Sequence, residues 1–258
     1  MRKGGRLALL LLVIVFYAVL APFGYAGFAL LSLWPAKDPL RRARRLQAIM
    51  RFAFSRMHAY GRRARLLDFD PRRIDGAVPE GPAVLVANHP CLCDVSIAMA
   101  SFENLTTAVK PGLFRRAWLR PLLEGARLFE GVGSDPLEAG QVIEDGVARL
   151  REGFRVLIFP EGTRSPERGL HRFGRTAFEI ACRANLPVVP LVMAFEPVWL
   201  TKDRGLFDLP NQTPRMRVTA LPPIHPEEHG RSSRRLRDVV EMQVRNRLDA
   251  SLATAGGS

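Results

Sequence analysis

From Leu7 to Trp34 the chain runs 28 residues without a charged side chain, directly after Arg2, Lys3 and Arg6. Such a run exceeds the roughly 18 apolar residues that mark a membrane-inserted segment. As one helix it would measure about 42 Å against a hydrocarbon core of about 30 Å, so it would have to tilt or protrude. Pro22 and Gly24 offer a second solution, dividing it into 7–21 and 23–34. Each piece is too short to span alone, and a re-entrant hairpin would keep both basic flanks on the cytoplasmic face. A cleavable leader is a third reading, since Ala18-Val19-Leu20-Ala21 ends in small residues, but the apolar run continues for 13 residues beyond it. From Lys37 to Arg65 follow ten basic residues and one acid, Asp38, with Leu46, Ile49, Met50, Ala53, Met57 and Tyr60 at helical spacing. This predicts a basic amphipathic helix or helix pair on an anionic lipid surface, with an ordinary solvated helix face as the plainer alternative.

Beyond the turn-rich stretch 71–82 the period changes repeatedly. Short β-type runs at 83–87, 105–109, 155–159, 188–194 and 216–220 alternate with helical patterns near 92–102, 114–124, 136–152, 173–185 and 232–251. The alternation predicts an α/β fold, a mostly parallel sheet flanked by helices, preceded by an N-terminal membrane-embedded helical segment. The expected organisation is a membrane segment over 1–36, a surface helix over 37–66, a globular domain over 67–250 and a flexible tail over 251–258. Functional side chains of such a sheet gather at the C-terminal ends of its strands.

The net charge of +13 would ordinarily bring nucleic acid to mind. Its distribution removes that reading: residues 1–65 hold 13 Lys and Arg against one acid, and residues 66–258 hold 25 against 24. The excess surrounds the apolar run, where it suits a membrane surface. Three cysteines, Cys91, Cys93 and Cys182, form no disulfide framework in a chain of 258 residues and fit a reducing compartment.

Two segments carry candidate chemistry. Directly after the run AVLVA comes NHPCLCD, residues 88–94, so His89 leaves the sheet at a strand end and Asp94 follows five residues later. An imidazole can take a proton from a hydroxyl, and a carboxylate on its other nitrogen fixes the tautomer and stabilises the imidazolium. A structural histidine, a soft-metal site through His89, Cys91 and Cys93, and Cys91 as nucleophile are the rival readings. The second segment is VLIFPEGTRS, residues 156–165, where Pro160 and Gly162 shape a tight loop carrying Glu161, Thr163 and Arg164. Gly162 permits close backbone approach, Thr163 supplies a hydroxyl, and Arg164 supplies a forked cation suited to phosphate. Glu161 could hold Arg164 or bind a ligand hydroxyl. A plain turn with a surface ion pair is the alternative.

Together the two loops resemble the signatures of the glycerolipid acyltransferase family. NHPCLCD matches its Asn-His, four residues, Asp signature, FPEGTRS at 159–165 matches a second almost letter for letter, and LPVVPLVM at 186–193 looks like its Pro-containing strand. The resemblance implies transfer of a fatty acyl group from a thioester, acyl-CoA or acyl carrier protein, to a lysolipid hydroxyl, most directly that of 1-acyl-glycerol-3-phosphate. It implies His89 as general base, Asp94 as its partner, and Glu161, Gly162, Thr163 and Arg164 as binders of the acceptor's glycerol phosphate. It also implies no cofactor beyond the acyl donor, membrane lipids rather than nucleic acid as partners, and a bacterial-type inner membrane with the catalytic domain on the cytoplasmic side. The family's remaining signature, with its phosphate-binding Arg, has no full match near GARLFEGVGSDP, leaving Lys110 and Arg127 as the available cations. A specialised acceptor such as an aryl polyene lipid, an acyl thioesterase and a scaffold without turnover are the alternatives.

Overall fold

The computed structural model describes residues 4–12, 14–15, 26–27, 30, 38–132 and 138–255. The expected membrane segment falls largely outside these residues. No helix among the described residues is long and apolar enough to cross a membrane. Residues 4–12 are helical, and Arg6, expected as a basic membrane flank, is buried instead. Its Nη1 donates to the carbonyls of Pro210 and Asn211 at 2.8 and 2.9 Å.

The basic segment forms one helix, α1 (Pro39–Arg63). Asp38 starts it by accepting from the Leu40 N–H at 2.9 Å, Pro39 stands at the first helical position, and Arg62 and Arg63 complement the dipole in the last turn. Ala43, Leu46, Gln47 and His58 face inward, while Ile49, Phe52 and Tyr60 are exposed. Arg65, at φ 55°, reverses the chain, and the N–H groups of Leu66 and Leu67 return to the Gly61 carbonyl.

The remaining elements are β1 (Ile74–Asp75), β2 (Val84–Ala87), α2 (Asp94–Ser101), β3 (Leu105–Val109), α3 (Pro111–Phe114), α4 (Arg120–Gly125), β4 (Phe129–Glu130), α5 (Glu138–Arg151), β5 (Arg155–Ile158), α6 (Thr176–Ala184), β6 (Val188–Glu196), β7 (Arg215–Ala220), a 3-10 turn (Pro226–His229) and α7 (Ser233–Ala255). The strands make a seven-stranded sheet in the order β1-β7-β6-β2-β5-β3-β4. Only the β6–β7 pairing is antiparallel. At its centre β2 is buried on both faces, as its unbroken Val-Leu-Val-Ala run requires. Leu85 and Ala87 face a layer containing α1, α2 and the 66–69 turn, and Val84 and Val86 face α5, α6 and α7. The mostly parallel α/β sheet is therefore as the alternation predicts.

Three details differ from expectation. The single helix expected over 114–124 is two short ones, α3 and α4, because Pro121 cannot continue a helix arriving from upstream and instead stands in the first turn of α4. Two-residue strands β1 and β4 close the sheet edges, too short to leave a period in the sequence. The expected tail is helical to Ala255, since no Gly or Pro interrupts ASLATA before Gly256.

Candidate active site

β2 ends at Ala87 in the middle of the sheet, and the side chain of Asn88 continues its ladder. Its amide donates to the Met193 carbonyl at 2.9 Å and accepts the Met193 N–H at 2.7 Å, so it replaces a backbone pair with β6. That pairing fixes where the chain leaves the sheet and delivers His89 at the C-terminal edge of the strands.

Pro90 and a short turn then bring the chain back, so that Asp94 opens α2 facing the imidazole. His89 Nδ1 and Asp94 Oδ2 are 2.8 Å apart. The same carboxylate accepts the Cys91 N–H at 2.9 Å and the Cys91 thiol at 2.9 Å. Asp94 is fully buried, and burial raises its carboxyl above the usual range, with the hydrogen bonds and charge of His89 and then Cys91 pulling it back. The His89 ring stacks on Phe159, centroids 4.4 Å apart and planes 27° from parallel. With Nδ1 committed to Asp94, Nε2 is the nitrogen left to receive a proton. The nucleophile reading of Cys91 does not fit: the residue is fully buried, and burial above all pushes its thiol far up, away from the reactive thiolate.

The second loop holds the first across 72 residues of sequence. Glu161 Oε1 and Ser165 Oγ both accept from the His89 N–H, at 3.2 and 3.0 Å, and the Ser165 N–H returns to the His89 carbonyl at 2.8 Å. The Ser165 hydroxyl donates to Glu161 Oε1, and the His171 N–H to Glu161 Oε2 at 2.8 Å. Glu161 was expected to hold Arg164 or a ligand hydroxyl. Its buried carboxylate is instead spent on the protein's own donors, the backbone of His89 among them. Gly162 has φ 67° and open space where a Cβ would stand, and Thr163 is exposed beside it. Arg164 Nη1 donates to the carbonyls of Leu200 and Thr201, the first at 3.0 Å. Leu200 also accepts the Leu92 N–H at 3.0 Å, so one carbonyl joins all three loops.

The structure thus brings His89, Asp94 and the 161–164 loop together. Lys110 is exposed at the C-terminal end of β3, on the same sheet edge but two strands from β2. Arg127 is not available to this site: it precedes β4 and therefore lies toward the opposite edge, where it pairs with Glu152 at 3.4 Å. Sequence reasoning missed Asn88, Phe159 and Ser165 as working parts. All three stand inside the two segments, but their roles depend on a pairing between loops that neither segment displays alone.

Residues 71–194, which include both loops, match the family model described as Acyltransferase. The chain is 36% identical over 154 residues to mouse 1-acyl-sn-glycerol-3-phosphate acyltransferase alpha, covering 58% of this chain and 52% of the relative. The corresponding Pseudomonas aeruginosa enzyme is 31% identical over 126 residues, 47% and 48% of the two chains. A chloroplastic relative in Arabidopsis thaliana is 29% identical over 149 residues, 56% and 40%. The chain thus spans about half the length of the curated relatives it matches. The crystal structure of the 1-acyl-sn-glycerophosphate acyltransferase PlsC from Thermotoga maritima superposes with a TM-score of 0.70, covering 98% of each chain at 22% identity, a likeness of fold. Residues 71–194, which carry the His89–Asp94 pair and the loop that clamps it, are thus similar to the acyltransferase family.

Proposed function

We propose that the protein transfers a fatty acyl group from a thioester, acyl-CoA or acyl carrier protein, to a hydroxyl of a lysolipid, with 1-acyl-glycerol-3-phosphate the first acceptor to test. The observation that carries this reading is the His89–Asp94 pair at 2.8 Å, fixed at the end of the central strand. In this mechanism the acceptor hydroxyl lies against His89 Nε2 and gives up its proton as its oxygen attacks the thioester carbonyl. Buried Asp94 stabilises the imidazolium that forms. Collapse of the tetrahedral intermediate breaks the C–S bond, and the imidazolium returns its proton to the departing thiolate. Acyl-enzyme formation is unnecessary, because the thioester is already activated and catalysis consists of positioning and deprotonation.

The 162–164 loop, exposed at Gly162 and Thr163, and Lys110 supply the cations and donors for the acceptor's phosphate. Arg164 has Nε and Nη2 left for this after its Nη1 is spent on the 200–201 carbonyls. Substrate and product are amphiphiles, so we place the domain at a membrane, held by the apolar segment 7–34 and the basic face of α1, on the cytoplasmic side. The relatives' names support a phosphorylated glycerol acceptor. The test is labelled acyl-CoA and acyl carrier protein thioesters offered to the purified full chain with a panel of lysolipids. Acceptor-dependent product with lysophosphatidic acid supports the proposal; thiol release that ignores every acceptor makes the protein a thioesterase.

A further inference from the structure

A groove of about 580 Å³ runs between the second half of α1, the 69–78 turn and the end of α2. Its size is that of a ligand site. It is separate from the catalytic pair: Asp94 opens α2 and Ser101, in the groove wall, closes it, about 10 Å further along the helix. Four guanidinium-bearing residues line it, Arg51, Arg56, Arg62 and Arg72, against one acid, Asp70. Two of the four are neutralised, Arg62 by Asp70 at 2.7 Å and Arg51 by Glu103. Asp70 also accepts the Arg72 N–H at 3.1 Å and lies 3.9 Å from Arg73 Nε, and the charge of Arg72 helps to hold its carboxyl low. Arg56 and Arg72 form no ion pair among the described residues. The rest of the wall is largely apolar, with Phe69 and Phe102 buried in it and Phe52 68% exposed at the rim.

We infer that this groove binds the phosphate of an anionic membrane phospholipid, a site separate from the one that binds the acceptor. Four arginines against one lining acid leave a positive excess that asks for an anion, and the aromatic wall and rim ask for an amphiphile rather than a free ion. The membrane is the source because α1 follows the 28-residue uncharged run after four intervening residues and carries eight arginines with no acid between Pro39 and Arg63. Ile49, one turn before Phe52, continues the exposed apolar rim along the helix. A lipid held here would seat α1 at the headgroup level, with α2 and its Asp94 directly beneath.

The inference shares with the proposed function only the placement at a membrane, and its test reads binding and needs no catalysis. The full chain in neutral detergent is titrated calorimetrically with dihexanoyl phosphatidylglycerol, dihexanoyl phosphatidylcholine and inorganic phosphate. Phosphatidylglycerol is expected to bind more tightly than either of the others. The double change Arg56→Glu and Arg72→Glu should weaken it about tenfold or more. The same charge change at exposed Arg234 and Arg235 on α7 should leave it unaltered. The Arg56, Arg72 variant should keep the wild-type Tm, which reports that it is folded. Equal binding of both lipids, inorganic phosphate binding as tightly as phosphatidylglycerol, or unchanged phosphatidylglycerol affinity in the double variant would each overturn the assignment.

Discussion

At the scale of single residues, the site depends on groups that never reach the substrate. Asp94→Asn keeps the shape of α2's first turn but removes the charge opposite the imidazolium, so kcat should fall by about 10²–10⁴ with little change in acceptor KM. Steady-state kinetics on the two variables separates this from a folding defect. Glu161 accepts three internal donors, and Glu161→Ala should cost about 2–3 kcal/mol and lower Tm, with kcat falling because the His89 backbone loses an anchor. Rescue of neither by added phosphate analogues would agree with a positioning role. His58 gives a pH signature of its own. It is buried on α1 against Ser96 and the edge of Phe69, and burial lowers its pKa from 6.5 to about 4. The unfolded chain therefore binds this proton first as pH falls. The stability from His58 is full above pH 6.5, drains as pH falls toward about 4, and amounts to about 3 kcal/mol. Denaturant melts across that window should show the slope in wild type and a flatter one in His58→Phe.

At the scale of elements, three loops are tied at one carbonyl, that of Leu200, and the sheet edge depends on one glycine. Arg164→Ala would free the 199–204 segment as well as remove a cation, so acceptor KM should rise and protease sensitivity of that segment should rise with it. An Arg164→Lys variant keeps the charge but not the fork, and should restore neither fully. Gly76 follows β1 with φ 82°, and a Cβ there would lie 2.2 Å from the Ala220 carbonyl oxygen of β7. Gly76→Ala should therefore lower stability by about 1–3 kcal/mol, measurable as a fall in Tm without loss of kcat. The central strands and α1 were legible in the sequence because continuous Val and Leu runs and apolar residues at helical spacing are local signals. The β1 and β4 edges and the break between α3 and α4 were not, since two-residue strands exist only through their partners. The His89–Asp94 pair was legible from spacing and resemblance. Glu161's true partners were not, because the contact spans 72 residues and runs to backbone.

At the scale of the whole molecule, the charge division and the sheet topology agree. The basic excess lies in the N-terminal 65 residues, α1 presents part of it on one flank, and α2 links that flank to the Asp94 carboxylate. Arg6 joins the N-terminal helix to the 210–211 carbonyls, in the same 199–211 stretch that Arg164 holds at its other end. Under the proposed function, membrane attachment and the acceptor side of the site meet in this stretch. The central claim is that His89, oriented by Asp94, deprotonates a lysolipid hydroxyl for attack on an acyl thioester. It is tested most directly by measuring labelled phosphatidic acid formed from acyl thioester and lysophosphatidic acid by the purified full chain and by His89→Ala. The account predicts acceptor-dependent product with wild type and a loss of at least about a hundredfold in the variant, at unchanged Tm. Wild-type turnover by a folded His89→Ala would contradict it.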